Sequence, residues 1–218
     1  MEIIRDLITQ NVVVVTDTIN PSMFGPFWFT ENKIFKPEEI LADSVFVTGF
    51  TSLSSIDSQI TIVPNQIQMS IKETSQSASY TCLKNRLAKI LQLLSTIPVK
   101  AIGINFLWKV ASEELDVHSL SKNLFADNTT RIYDYFSKAD ARFGAYFSQN
   151  IDDNTRLKLD IKPVHAEEEA GKKSEFILAS FNYHRDITPK DVQRQLDDQI
   201  KKWTELRQNS NKLVCMLE

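Results

Sequence analysis

The sharpest chemical signal in this sequence is the stretch LDIK, in which Asp160 stands two residues before Lys162. On an extended strand that spacing puts both side chains on one face. A strand-borne acid and lysine, with a second acid nearby, is what a Mg2+-dependent nuclease requires: carboxylates hold the ion and the lysine orients the attacking water. Asp140 and Asp152 stand in the preceding segment as candidate second acids. The competing reading is plainer. Arg156, Lys158, Asp160 and Lys162 alternate with Leu157, Leu159 and Ile161, as on the wet face of an amphipathic strand. The alternation is the stronger signal of the two.

Other candidate chemistry is sparse. Asn182, His184 and Arg185 cluster around Tyr183 at the end of an apolar run and form a candidate polar site. His118 and His165 stand apart from it, with no partners at metal-ligand spacing, so no metal is expected. Neither Cys82 nor Cys215 has a neighbouring histidine to activate it, and each reads as a small buried hydrophobe. Five isolated glycines leave no phosphate-binding loop, and no cofactor is expected.

The run MFGPFWF is different in kind. Phe24, Phe27, Trp28 and Phe29 gather around Gly25 and Pro26 with no basic residue among them. A protein-binding patch is the functional reading, since aromatic side chains dominate such interfaces. Base stacking would call for interleaved cations. A plug beneath a loop is the structural alternative.

Bulk composition narrows the classes. With 25 basic and 28 acidic residues, the net charge of −3 lacks the basic excess of a dedicated nucleic-acid binder. At 218 residues and 42% hydrophobic content, the chain can bury a core without a metal or disulfide staple. The start, MEIIRDLITQNVVVV, carries Asp6 and Gln10 within its apolar stretch and lacks the pattern of a secretory signal. No run reaches the ~18 apolar residues of a membrane span. A cytoplasmic protein is the expectation.

The elements that would position these residues follow from periodicity. NVVVVTDTIN, SVFVTGF and the hairpin SQITIVPNQIQMSIKE read as strands, the hairpin turning at Pro64-Asn65. Leu83, Leu87, Ile90, Leu91 and Leu94 share one helical face, and Pro98 ends that helix. VKAIGINFLWKV follows as a central strand, large on the face of Ile102, Ile104, Phe106, Trp108 and Val110, small on the face of Ala101, Gly103 and Asn105. The small face predicts the preceding helix pressed over Gly103, with Asn105 buried and anchoring a loop. Two short helices are predicted across 115–138, then strands at ARFGAYFS, TRLKLDIK and SEFILASFNYH, with PVHAEEEAGKK as a polar loop. A long terminal helix is predicted with Thr188 as its cap and Val192, Leu196, Ile200, Trp203 and Leu206 as its apolar stripe.

Strands precede a helix twice, which predicts an α+β fold with a largely antiparallel sheet. The division expected is two closely packed lobes, 1–110 and 111–218, each covered by helices on one side. The succession of hairpin, amphipathic helix and IPVKAIGINF resembles the core of a sporadically distributed, uncharacterised family of prokaryotic proteins. Its marks are a Gly-x-Asn strand after a helix and a long C-terminal helix. The resemblance covers residues 59–110, and it implies a fold and a prokaryotic or phage source with no activity attached. The function read from the sequence is a non-catalytic subunit that binds a protein partner or its own copies. The alternative is a metal-dependent nuclease or nucleic-acid-processing subunit using Asp160 and Lys162.

Overall fold

A computed structural model describes residues 2–72, 75–126, 131–167 and 173–217. Nine strands form one antiparallel sheet: β1 (Ile3–Thr16), β2 (Val45–Val47), β3 (Phe50–Ser54), β4 (Ser58–Val63), β5 (Gln66–Ile71), β6 (Val99–Ser112), β7 (Ala145–Asn150), β8 (Arg156–Glu167) and β9 (Lys173–Asp186). Their spatial order is β2-β3-β4-β5-β1-β6-β9-β8-β7. The fold is thus α+β, as expected. The halves 1–110 and 111–218 do not form separate sheets, because β6 from the first pairs with β9 from the second from Ala101 opposite Asp186 to Val110 opposite Ile177.

Register explains why one face is covered and the other is not. One row across the sheet runs Leu53, Ile60, Met69, Val12, Ile104, Tyr183 and Leu157, and every member is buried. The adjacent row runs Ser54, Gln59, Ser70, Asn11, Asn105, Asn182, Lys158 and Ser148, polar throughout. Because side chains alternate between faces, a single register gives an apolar inner face and a hydrophilic outer one.

Helices are interspersed with the strands, and those packed on the sheet lie on its inner face. The helices are α1 (Pro26–Glu31), α2 (Gln76–Cys82), α3 (Ala88–Leu93), α4 (Val117–Phe125), α5 (Ile132–Tyr135), α6 (Val192–Lys201) and α7 (Trp203–Cys215). A π-helical turn over Leu83–Leu87 joins α2 to α3, and Leu83, Leu87, Ile90 and Leu91 are buried as their spacing predicts. The predicted terminal helix is present as two segments meeting at Lys202, with Leu196, Ile200, Trp203 and Leu206 all buried. Trp203 packs on Phe106 at 4.9 Å between ring centroids. The helix starts at Val192, later than Thr188 predicts, because Gln195 reaches back to bond Thr188 and the Lys190 carbonyl. Arg5, a charged residue within β1, donates to the Val214 and Leu217 carbonyls and so satisfies the end of α7.

The expectation for Gly103 is corrected. The helices cover the large side of β6, and among the described residues no helix lies over the small side. A β-carbon at Gly103 would stand 3.0 Å from Asn182 Nδ2. Glycine makes room there for a chain of amides across three strands. Asn182 Nδ2 donates to Asn105 Oδ1 at 2.6 Å, and Asn105 Nδ2 donates to Asn11 Oδ1 at 2.8 Å. Asn105 anchors neighbouring strands, not a loop. A second glycine permits close approach at the sheet edge. A β-carbon on Gly144 would fall 2.3 Å from the Ile161 carbonyl oxygen, so glycine lets β7 begin against β8.

Candidate functional site

The nuclease constellation is not assembled. Asp160 and Lys162 do share the outer face of β8, but Lys162 Nζ donates to Asp160 Oδ2 at 2.7 Å and both are well exposed. Asp140 lies in the turn before β7, beside Arg142. Asp152 accepts from Lys202 Nζ at 2.7 Å, on the approach to β8. Burial alone would raise the Asp152 carboxyl, and the Lys202 ammonium together with the Asn154 amide outweighs it and holds the group below its ordinary range. Among the described residues, no three acids, histidines or cysteines converge as a metal site would need.

The polar cluster divides by strand parity. Asn182 belongs to the amide chain, and His184 pairs with Asp186 Oδ1 at 2.9 Å, both on the outer face. Arg185 points inward and is buried. Adjacent residues on a strand face opposite ways, so the three do not form one site. Tyr183, also inward, donates to Asn209 Oδ1 at 2.8 Å, and burial pushes its hydroxyl up. His165 stands in β8 and not in a loop, 2.9 Å from Glu175. The acidic stretch of HAEEEAGKK, from Glu168 to Lys172, lies outside the described residues.

The aromatic run is corrected as a binding patch. Phe24 and Phe29 are fully buried, and Trp28 packs edge-on between them at 4.8 and 5.1 Å. Phe27 alone faces solvent, 75% exposed. The helical turn of α1, opened by Gly25 and Pro26, spaces Phe27 onto the opposite side from its neighbours. Cys215 is likewise exposed, contrary to its expected burial, while Cys82 is buried and its thiol is pushed up by that burial.

Two features escaped the sequence. One is a buried cation. Arg86, on the π-helical turn, bonds Asp57, Glu39, Ser55 and Ser58 and lies 4.2 Å from the centre of the Phe35 ring. Burial would raise the Asp57 carboxyl, but the Ser55 hydroxyl and the Arg86 charge outweigh it and lower the group. Both terminal nitrogens of the guanidinium are engaged within the protein, so Arg86 ties α2 and α3 to the β3–β4 turn.

The other is an apolar groove of about 470 Å3 between β7 and the end of α7. Phe147, Leu157, Leu159, Leu213, Met216 and Leu217 line it. The sheet reaches beyond the helices here, leaving Phe147 53% and Met216 63% exposed at the groove. β7 is the last strand of the sheet, so its outer backbone edge has no partner among the described residues. Tyr146, 62% exposed, stands on its outer face opposite Asp160. Exposed apolar rings beside an unpaired strand edge form a surface suited to accepting another strand. In comparisons with known proteins, the chain matches no family model and no curated protein. Among the described residues, no helix is long and apolar enough to cross a membrane.

Proposed function

We propose that this chain is a non-catalytic, cytoplasmic assembly subunit that binds protein through the groove between β7 and α7. The observation that carries this reading is the edge of β7, unpaired among the described residues, with Phe147 and Met216 exposed above an apolar trough. Single exposed apolar residues need no explanation, but a contiguous set along an open strand marks an interaction surface. The reading moves the partner site from Phe24, Phe27, Trp28 and Phe29 to β7 and α7. A prokaryotic or phage-related setting rests on the resemblance of residues 59–110.

The test is native mass spectrometry of the chain purified from cells at low expression. A discrete complex is expected, lost on Phe147→Asp or Met216→Asp without change in the melting midpoint, and retained in Lys162→Ala. A complex indifferent to both groove substitutions overturns the proposal.

A further inference from the structure

We infer that the occupant of the groove is a second copy of this chain, joined by antiparallel pairing of β7 with its own equivalent. The inference rests on the proposed reading of the groove as a protein interface, and it names the partner.

Three observations single out a self-complementary edge. First, β7 reads AYFSQN, with no charge and no proline. The edge of β8 that continues past it carries Lys162, Pro163 and His165. Lysine and proline are the usual guards of an exposed edge, and proline removes a backbone donor outright. One stretch is guarded and its neighbour is bare. The opposite edge, β2, offers only the three residues Val45–Val47.

Second, the register closes on itself. Antiparallel pairing about a twofold axis must set inward residues opposite inward residues. Centred on Phe147, it pairs that ring with its copy on the groove side, and Tyr146 with Ser148 of the second copy on the outer side. A centre on Ser148 would also match faces. It would draw together two Arg156 guanidinium groups, each held by Ser148 and Asn150, so charge favours the Phe147 centre. The two grooves then meet across the axis, and each receives the other's Phe147.

Third, the area suffices. Large aromatic side chains present ~150–250 Å2 each, so half-exposed Tyr146 and Phe147 offer roughly 100 Å2 apiece. With Ile151, Met216, the half-buried leucines and the backbone edge, each copy can bury on the order of 600 Å2, the low end of specific interfaces. That predicts a reversible dimer whose population depends on concentration.

Sedimentation equilibrium of the purified chain alone tests this, together with cysteine cross-linking in a Cys215→Ser background. The expected results are a concentration-dependent dimer, a monomer with unchanged melting for Phe147→Asp, and an intersubunit disulfide on mild oxidation of Phe147→Cys. Val47→Cys on the other edge should give none. A purified chain that stays monomeric, a dimer that survives Phe147→Asp, or cross-linking at Val47→Cys in place of Phe147→Cys overturns the inference. A monomeric purified chain alongside a Phe147-dependent complex from cells would remove self-pairing and leave the groove as an interface for another protein. No Phe147-dependent complex in either setting would remove both.

Discussion

Replacing Arg86 with methionine keeps most of the side-chain volume and deletes one buried charge. The guanidinium holds Asp57 and Glu39, bonds two serine hydroxyls and caps the Phe35 ring. Removing one member of a buried ion pair costs ~3–5 kcal/mol when the survivor stays dry. Here Asp57 and Glu39 keep 38% and 37% of their side-chain surface exposed, so water recovers part of the loss. The lost ring contact adds ~0.5–1 kcal/mol. A net cost of about 3 kcal/mol follows from these terms. For a chain of this size it corresponds to a fall in melting midpoint of roughly 6–12 °C. A pH series gives an independent sign. The folded Asp57 carboxyl lies below its unfolded value, so its contribution is complete above the ordinary carboxylate range and is lost as pH falls through the lowered value. Arg86→Met should therefore lose stability less steeply on acidification than the parent. Urea denaturation at neutral and acid pH reads both quantities. A variant within about 1 kcal/mol of the parent, with the same acid slope, would refute the reasoning, since that is the value of an ordinary exposed pair.

Phe29→Ala should cost ~3–5 kcal/mol as a core truncation, whereas Phe27→Ser should stay within about 0.5 kcal/mol; two thermal melts compare them. Gly103→Val should break the Asn182–Asn105 bond at about 1 kcal/mol, partly offset by the strand preference of valine, so a loss above about 3 kcal/mol in denaturant would mean a close packing partner. A double-mutant cycle of Asn105→Ala and Asn182→Ala should show coupling of at least about 0.5 kcal/mol, and strict additivity would contradict the amide chain. Lys162→Ala should change stability by less than about 0.5 kcal/mol, because the Asp160 pair is exposed.

Where side-chain period and burial agree, the fold is legible in the sequence. The alternations in β4, β5 and β8 stand as their spacing predicts, and so do the helical stripes, with Leu94 and Val192 at their ends only half-buried. The first half of β1 is not legible, because Arg5 breaks the apolar pattern while serving the distant end of α7. The covered side of β6 is not legible for a related reason. Small residues beside large ones suggested an overlying helix, when the smallness of Gly103 serves an amide on the next strand. Composition cannot distinguish these, since the partner lies 79 positions away along the chain (Gly103 to Asn182). The candidate site was hidden more deeply. Phe147 lies in ARFGAYFS, a stretch that reads as an ordinary strand, and its exposure depends on where α7 ends relative to the last strand.

Backbone hydrogen exchange across residues 145–150 bears most directly on a protein interface at β7. In the Phe147→Asp variant the outward amides of β7 should exchange as those of a free strand edge. In the assembled parent protein they should slow by about tenfold or more, together with the last turn of α7, as backbone groups gain partners. Protection that appears instead at β2 or across the outer face, with β7 unchanged, would contradict the assignment.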